Sequence, residues 1–452
     1  MKTLRVSSFG LRGHVGTSLT VPVVQDYAAA FATSLEGGRV LLGRDTRDSS
    51  PMLASAVRSS LLGAGCEVLD FGVCPTPVLQ FSTSRREAAG AISVTAGHMG
   101  GGWNAVTLIG RDGACLDTNT GEAVLDLFHA GDFRKAGHAE QGEMVECERY
   151  FNDYLDRLCE VVQADRIRSR DYTVLIDPVG GAGCAFLDLF ADRLGIRLVS
   201  VNAEPSGYLA REPEPRPRSA QHLSSFIRHV AGDVGFVLNS DVARVSIVTE
   251  EGEQASEEYS FAIITDHVLR HHPGVVVTNT CTSRMVDDVA ARHGAELKKT
   301  RVGQAYIVSM LTDEEGVLGG EGSGSAVLPS FSPAFDGFLT MAMVLEAMAQ
   351  SKRSSSELLR ALPKYHIIKH RRPCDAHAAY HAVDSIARRL VDRADGTLDS
   401  SDGIRIDWED GWVHIRPSQT EQLIRIISES TERERAESRG DEIAKLVDQE
   451  LS

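Results

Sequence analysis

Four short stretches of this chain gather residue types suited to chemistry on a polar, anionic ligand. Arg416-Pro-Ser418-Gln419-Thr420 and the following Arg425 supply two arginines, two hydroxyls and the backbone N–H groups of a tight turn. Such a set suits a phosphate dianion, because charge-assisted and bidentate hydrogen bonds are the strong ones. The plainer reading is a strand-to-helix turn with surface arginines. Gly319-Gly-Glu321-Gly-Ser323-Gly324 offers a carboxylate that accepts two hydroxyl bonds and a serine that donates or accepts, a set suited to sugar hydroxyls. His98 precedes Gly100-Gly-Gly102, which predicts a flexible loop whose backbone approaches a ligand closely. Its imidazole would serve as acid, base or, less often, phosphoryl acceptor, or else simply bond the backbone. Asn239-Ser-Asp241 brings one carboxylate and one amide carbonyl, a weak set for Mg²⁺, which prefers near-octahedral oxygen ligation. The alternative there is a polar turn in which Asp241 bonds backbone groups or Arg244.

Elements that position these stretches follow from periodicity. From Pro22 to Leu35, residues Val23, Val24, Tyr27, Ala28, Phe31 and Ala32 fall on one helical face. Arg39–Gly43, Glu67–Phe71 and Ala91–Val94 read as short apolar strands, with a second helix from Pro51 to Leu62. The same alternation recurs at Tyr172–Asp177, the turn Gly180–Gly183, a helix over Cys184–Leu194 and a strand over Arg197–Val201. It recurs again at Gly274–Thr278, Ser283–His293 and Phe338–Gln350. Strands alternating with helices imply mainly parallel, doubly wound sheets. Beyond Cys374 the pattern changes: Ile404–Asp407 and Trp412–Arg416 alternate about a Glu409-Asp-Gly411 turn, a hairpin signature, and Arg433–Leu451 reads as a closing helix. Linkers are expected near 136–142, 250–257 and 369–376.

Composition narrows the class. A chain of 452 residues with 42% hydrophobic and 24% charged content has material for several buried cores, hence two to four domains. No apolar run approaches the roughly 18 residues that a membrane span needs, and the N-terminus has no apolar leader segment, so a cytoplasmic protein is expected. The eight cysteines include no Cys-x-x-Cys pair, which predicts reduced thiols. A net charge of -16 disfavours nonspecific nucleic-acid binding and leaves local basic residues to overcome the global field for an anionic ligand.

From Arg12 to Arg425 the chain resembles the α-D-phosphohexomutases: phosphoglucomutase, phosphomannomutase and relatives. Thr95-Ala-Gly97-His98-Met-Gly-Gly-Gly-Trp-Asn104 resembles their active-site loop, Thr-Ala-Ser-His-Asn-Pro followed by an aromatic residue and Asn. That serine carries the exchanged phosphoryl group, and Gly97 stands in its place. Gly10-Leu-Arg-Gly13, Gly43-Arg-Asp-Thr-Arg47 with Ser50-Pro51, Pro75-Thr-Pro-Val78 and Pro213-Glu-Pro215 resemble framework signatures of the same family, in the same order. The stretch Asn239–Arg244 resembles a metal loop, Asp-x-Asp-x-Asp-Arg, that here keeps one of three carboxylates. Gly319–Ser325 resembles a sugar loop ending in His, replaced by Ser325, and Thr107 stands where a lysine is usual.

This resemblance implies three successive doubly wound, mixed or parallel α/β domains plus a C-terminal α+β domain around a central cleft, over residues 1–139, 140–252, 253–370 and 371–452. It implies phosphate binding by Arg416, Ser418, Gln419, Thr420 and Arg425, and sugar binding by Glu321 and Ser323. Arg12, His98 and Arg244 would line the reaction centre, with Asn239 and Asp241 as a degenerate metal pair. The leading expectation is a divergent member that binds a phosphorylated sugar, or a related phosphorylated ligand, without the phosphoserine and Mg²⁺ cycle. It would act as a sensor or scaffold, or carry altered chemistry through His98. The alternative is a working phosphoglucomutase- or phosphomannomutase-type phosphotransferase using His98 or free sugar bisphosphate, and only there is Mg²⁺ expected as a cofactor. The expected partner is a small phosphosugar, not nucleic acid or membrane, and homo-oligomer assembly stays open.

Overall fold

The computed structural model describes residues 4–7, 9–391, 395–418 and 421–452. Its first sheet shows why short apolar strands give a doubly wound layer. Along Gly38–Arg44, side chains alternate between faces: Val40 and Leu42 enter one core with Tyr27, Phe31, Leu53 and Val57, while Leu41 enters another with Phe71, Leu79 and Phe81. Helices Val21–Ser34 and Ser50–Gly63, each with proline in its first turn, cover the first face. Cys66–Val73 and Gly90–Val94 flank Gly38–Arg44 in parallel, and Trp103–Gly110, Gly10–His14 and Arg5–Ser7 add antiparallel strands beyond Gly90–Val94. A seventh strand, Met144–Glu146, lies past residue 139 and pairs in parallel with Cys66–Val73.

Two smaller mixed sheets follow. One orders Val245–Thr249, Val234–Leu238, Thr173–Asp177 and Arg197–Ser200; the other orders Leu297–Thr300, Val276–Asn279, Leu318–Glu321 and Ser325–Val327. The stretch expected to be helical from Cys184 begins as a 3₁₀ turn, Ala182–Phe186, and becomes α-helical at Leu187. Helix Gly337–Ser351 is buried from Gly337 to Ala349, as an all-round apolar helix requires, and joins the three α/β units into one core. Phe81, Phe151, Phe331 and Phe338 surround Tyr154, whose hydroxyl donates to the Asp336 carboxylate at 2.8 and 2.9 Å. Asp336 also caps the helix by accepting from Leu339 N at 3.0 Å.

The fourth unit is antiparallel throughout, in the order His366–Pro373, Leu423–Ser430, Gly411–Pro417, Ile404–Trp408 and Thr397–Asp399. Helices Ala376–Val391 and Arg433–Leu451 close a separate core. The linker expected near 369–376 is corrected: most of it is edge strand His366–Pro373, whose basic run hides its period-two pattern. Among the described residues no helix is long and apolar enough to cross a membrane.

Replacing Tyr154 by Phe strips a buried carboxylate of a donor. We expect a loss of about 1–3 kcal/mol, read as an earlier thermal transition.

Candidate active site

The loop bearing Gly97 leaves the C-terminal end of Gly90–Val94 and is tied to its neighbour strand by a buried ion pair. Arg47 Nε donates to Asp45 Oδ2 at 2.9 Å, with both side chains at most 5% exposed. The rest of the Arg47 guanidinium donates to the carbonyls of Gly97, Met99 and Gly100 at 3.0, 2.7 and 3.1 Å. Thr95 Oγ1 donates to Asp45 and accepts from Gly97 N, and Ser240 Oγ, from the second domain, donates to the Gly97 carbonyl at 2.8 Å. The flexible loop expected from Gly100-Gly-Gly102 is thus corrected over its first half, which these bonds hold. Gly102 is needed for room, since a Cβ there would stand 2.6 Å from His14 Nε2.

Gly97 has φ +54°, and a Cβ on it would point at Asp241, 3.0 Å from Oδ2. Asp241 sits in the turn between Val234–Leu238 and Val245–Thr249, a turn fixed by Ala182 N, Thr76 N and Gly337 N donating to the carbonyls of Ser240, Asp241 and Val242. These bonds hold Val242 at φ +64°, a conformation that a β-branched residue avoids unless its surroundings impose it. The polar groups of this turn are spent on each other. Asn239 Nδ2 donates to Asp241 Oδ1 at 2.6 Å, Asn239 Oδ1 accepts from Arg244 N at 3.0 Å, and Ala243 N also donates to Asp241. Burial, with Asp45 nearby, raises the Asp241 carboxyl above its usual range. One carboxylate oxygen facing Gly97 does not make an octahedral set, and among the described residues no three His, Cys, Asp or Glu side chains converge to hold a metal.

A cavity of about 750 Å³ opens beside these loops and is lined by all four domains. Arg12, His98, Asp241, Arg244, Glu321, Ser323, Arg416, Ser418 and Arg425 all reach its wall, so the residues picked out in the sequence converge. Gln419 and Thr420 lie outside the described residues. Thr107 also lines the cavity, on a strand position between Gly10 and Ser93.

The phosphate end is built by register. Arg425 on Leu423–Ser430 pairs across the sheet with Arg416 on one side and Arg371 on the other, so three guanidiniums share one face of adjacent strands. Like charges directly opposite destabilise a sheet unless counter-charged. Glu421 pairs closely with Arg425, and Glu214 of the second domain receives Arg371 at 3.2 Å. Even so, among the described residues the buried Nε atoms of Arg416 and Arg425 have no partner, nor does Arg12 Nη1. Burial, aided by Arg244, brings Arg12 down to about 10. Burial and the facing Arg244, Arg12, Arg425 and Arg216 also hold half-buried His98 well below its ordinary range, as neutral imidazole.

At the opposite end Glu321 accepts from Asn279 Nδ2 and Ser323 Oγ, both at 2.7 Å, with Arg244 at 3.8 Å. Ser325 Oγ donates to the Ala243 carbonyl, joining the sugar and metal loops. Sequence reasoning missed Arg216, Arg371 and the cluster of Lys369 with Glu257 and Glu258, where Nζ donates to each carboxylate at 2.9 Å. Burial raises Glu258 to about 7 despite Lys369. Only strand register or long-range packing brings Arg216, Lys369, Glu257 and Glu258 to the cleft and Arg371 beside Arg425; their local sequence carried no signal.

Four family models, described as Phosphoglucomutase/phosphomannomutase alpha/beta/alpha domains I, II and III and C-terminal domain, match residues 5–135, 152–252, 256–365 and 371–446. The chain belongs to the phosphoglucomutase/phosphomannomutase family. It is 34% identical over 436 residues to a phosphoglucomutase/phosphomannomutase of Thermococcus kodakarensis, covering 95% of each chain. It is 32% identical over 440 residues to a protein of Pyrococcus abyssi named probable phosphoglucosamine mutase, covering 97% of this chain and 96% of that one. In fold it is similar to a phosphoglucomutase/phosphomannomutase family protein of Burkholderia thailandensis, with TM-score 0.82, 21% identity and 98% of each chain covered.

Two substitutions test this geometry. Arg416→Ala is expected to weaken the stabilisation by inorganic phosphate about 10- to 100-fold in apparent affinity, the value of a charge-assisted bond, in a thermal-shift titration. Gly97→Ala forces a side chain into the left-handed region against Asp241 and should lower stability by about 1–3 kcal/mol, read by chemical denaturation.

Proposed function

We propose that this chain is a phosphohexomutase-type enzyme in which His98 replaces the missing serine as phosphoryl acceptor and arginines replace the metal. The observation that carries this reading is the convergence of His98 with Arg12, Arg216, Arg244 and Arg425 on the wall of one cavity, where burial and these arginines hold the ring below its ordinary range. A neutral ring nitrogen has the lone pair that attack on phosphorus requires, and guanidiniums stabilise the charge spreading over the transferred oxygens. Arg416, Ser418 and Arg425 hold one phosphate, while Glu321 and Ser323 hold sugar hydroxyls. The ring nitrogen bonds to phosphorus as the P–O bond of a sugar bisphosphate breaks, and the freed sugar oxygen takes up a proton. The free hydroxyl of a sugar 1-phosphate then takes the phosphoryl group from His98, the N–P bond breaking and the hydroxyl proton passing to the solvent. The bisphosphate so formed turns end for end, its other phosphoryl group returns to the ring nitrogen, and the 6-phosphate leaves.

The names of the similar proteins support glucose, mannose or glucosamine phosphates as the substrate class. The depleted donors at Asn239 and Asp241 support a cycle without Mg²⁺. In this reading the partner is a small phosphosugar in the reducing cytoplasm, and no nucleic acid or membrane takes part. Gly97, Asn239, Ala243 and Thr107 together favour a second reading, in which the same cleft binds the phosphosugar without turning it over.

Purified protein given mannose or glucose 1-phosphate with the matching 1,6-bisphosphate, in EDTA, should form the 6-phosphate and carry one phosphoryl mass, both lost in His98→Ala. Ligand-induced thermal stabilisation without product would instead establish the binding reading; neither signal would refute both. The lowered His98 keeps its ring neutral as pH falls from 8 toward 6, so its ionisation removes no activity in that window. Turnover should decline only around pH 6, where the phosphate monoester itself gains a proton at its second pKa of about 6.

A further inference from the structure

Outside the machinery described above, the third and fourth domains meet at a cysteine and a histidine that the mutase reading does not use. Cys281 lies in the turn after Val276–Asn279, its backbone N–H donating to Asn279 Oδ1 at 2.8 Å, and it lines the cavity. Its sulfur stands 2.9 Å from Nδ1 of His414, which is buried on strand Gly411–Pro417. The other ring nitrogen, Nε2, lies 2.5 Å from the Asp402 carbonyl. A carbonyl only accepts, so Nε2 carries a hydrogen, and Nδ1 is left to take the thiol proton. Two residues along the same strand Arg416, 8% exposed, faces the cavity with its Nε unpartnered among the described residues, placing a cationic donor on the same wall.

We propose that Cys281 is a covalent modification site, a thiol activated by His414 that reacts with small electrophiles and with carboxylate-bearing low-molecular-weight disulfides entering the cleft. In the disulfide reaction His414 takes the Cys281 proton, and the thiolate attacks one sulfur of the reagent. A new S–S bond forms as the old one breaks, and the departing thiolate leaves with the proton from His414. No outside oxidant is needed, because the reagent disulfide is the oxidant. The adduct would occupy the wall between Arg416 and the Asn279–Glu321 pair, closing the cleft to other ligands.

The charged groups facing the sulfur are His414 and Arg416, which favour the thiolate, and Asp402, which opposes it. Burial acts to raise the Cys281 thiol, but these cations outweigh it and bring it down to about 7. His414 is raised in return, burial opposing and Cys281 prevailing. Each of the other seven cysteines, all free, is raised, burial being the first cause in every case.

The test is site-resolved labelling of the reduced, full-length, ligand-free protein with limiting iodoacetamide, followed by peptide mass spectrometry. At pH 7 Cys281 should label about fivefold faster than an ordinary thiol, the gain in thiolate fraction being partly offset by lower nucleophilicity. It should outpace half-buried Cys159 and Cys374 by more than that. Its rate should rise with pH through a midpoint near 7, and His414→Gln should move the midpoint upward by more than one pH unit. Glutathione disulfide should add one glutathionyl mass to the wild-type chain and none to Cys281→Ser. Labelling of Cys281 no faster than Cys159 and Cys374, or a wild-type midpoint near 9, would overturn the proposal without reference to how His414→Gln folds.

Discussion

The cleft depends on one buried carboxylate. Asp45 sits just past strand Gly38–Arg44 of the first sheet and accepts from Arg47, Ser50, Thr95 and, across the domain boundary, Ser240. An ion pair buried this deeply gains little unless its lone pairs are all used, and here they are. The satisfied pair turns Arg47 into a clamp on the loop carbonyls of Gly97, Met99 and Gly100, and Ser240 fastens the second domain to the same loop. Asp241, the next residue, is thereby set against Gly97. The strained Val242 is a consequence of the same fastening, because three neighbouring amides define the turn before its own φ preference counts.

What that framework presents is an excess of cations. Arg12, Arg216, Arg244, Arg416 and Arg425 converge from three domains on a space whose carboxylates are mostly occupied already: Glu214 by arginines, Glu321 by Asn279 and Ser323, Asp241 by its own turn. A phosphorylated ligand is the chemistry that such a surplus suits. In the Asn239–Asp241 turn the amide and carboxylate bond each other, so these polar groups are engaged within their own turn while the arginines face the cavity.

Much of this was legible in the chain itself. Helix Arg433–Leu451 and the Ile404–Trp408 hairpin follow from periodicity and turn residues, and the Gly97, Asp241, Glu321 and Arg416 loops meet as their resemblance implies. Other parts were hidden for identifiable reasons. Lys369-His-Arg371-Arg372 reads as a polar linker because an edge strand needs no apolar face on its open side, yet register places Arg371 beside Arg425. Cys281 and His414 lie 133 residues apart, and nothing local to either announces the other. The glycine run after His98 suggested freedom because composition speaks for the backbone alone; Arg47, 50 residues earlier, takes that freedom away.

The arginine register also bears on how selectivity would be divided in the proposed reading. Arg425 and Arg416, with Arg371 held by Glu214 beside them, would meet any tetrahedral oxyanion whatever carbon skeleton it carries. Inorganic phosphate therefore competes for the same seat, and the apparent affinity of a phosphosugar falls in proportion to the fraction of seats already filled. Discrimination is left to Glu321 and Ser323, which stand in another domain and read hydroxyls. Only a molecule long enough to engage the fourth domain and the third together escapes that competition, so the width of the gap between them acts as a ruler for the ligand.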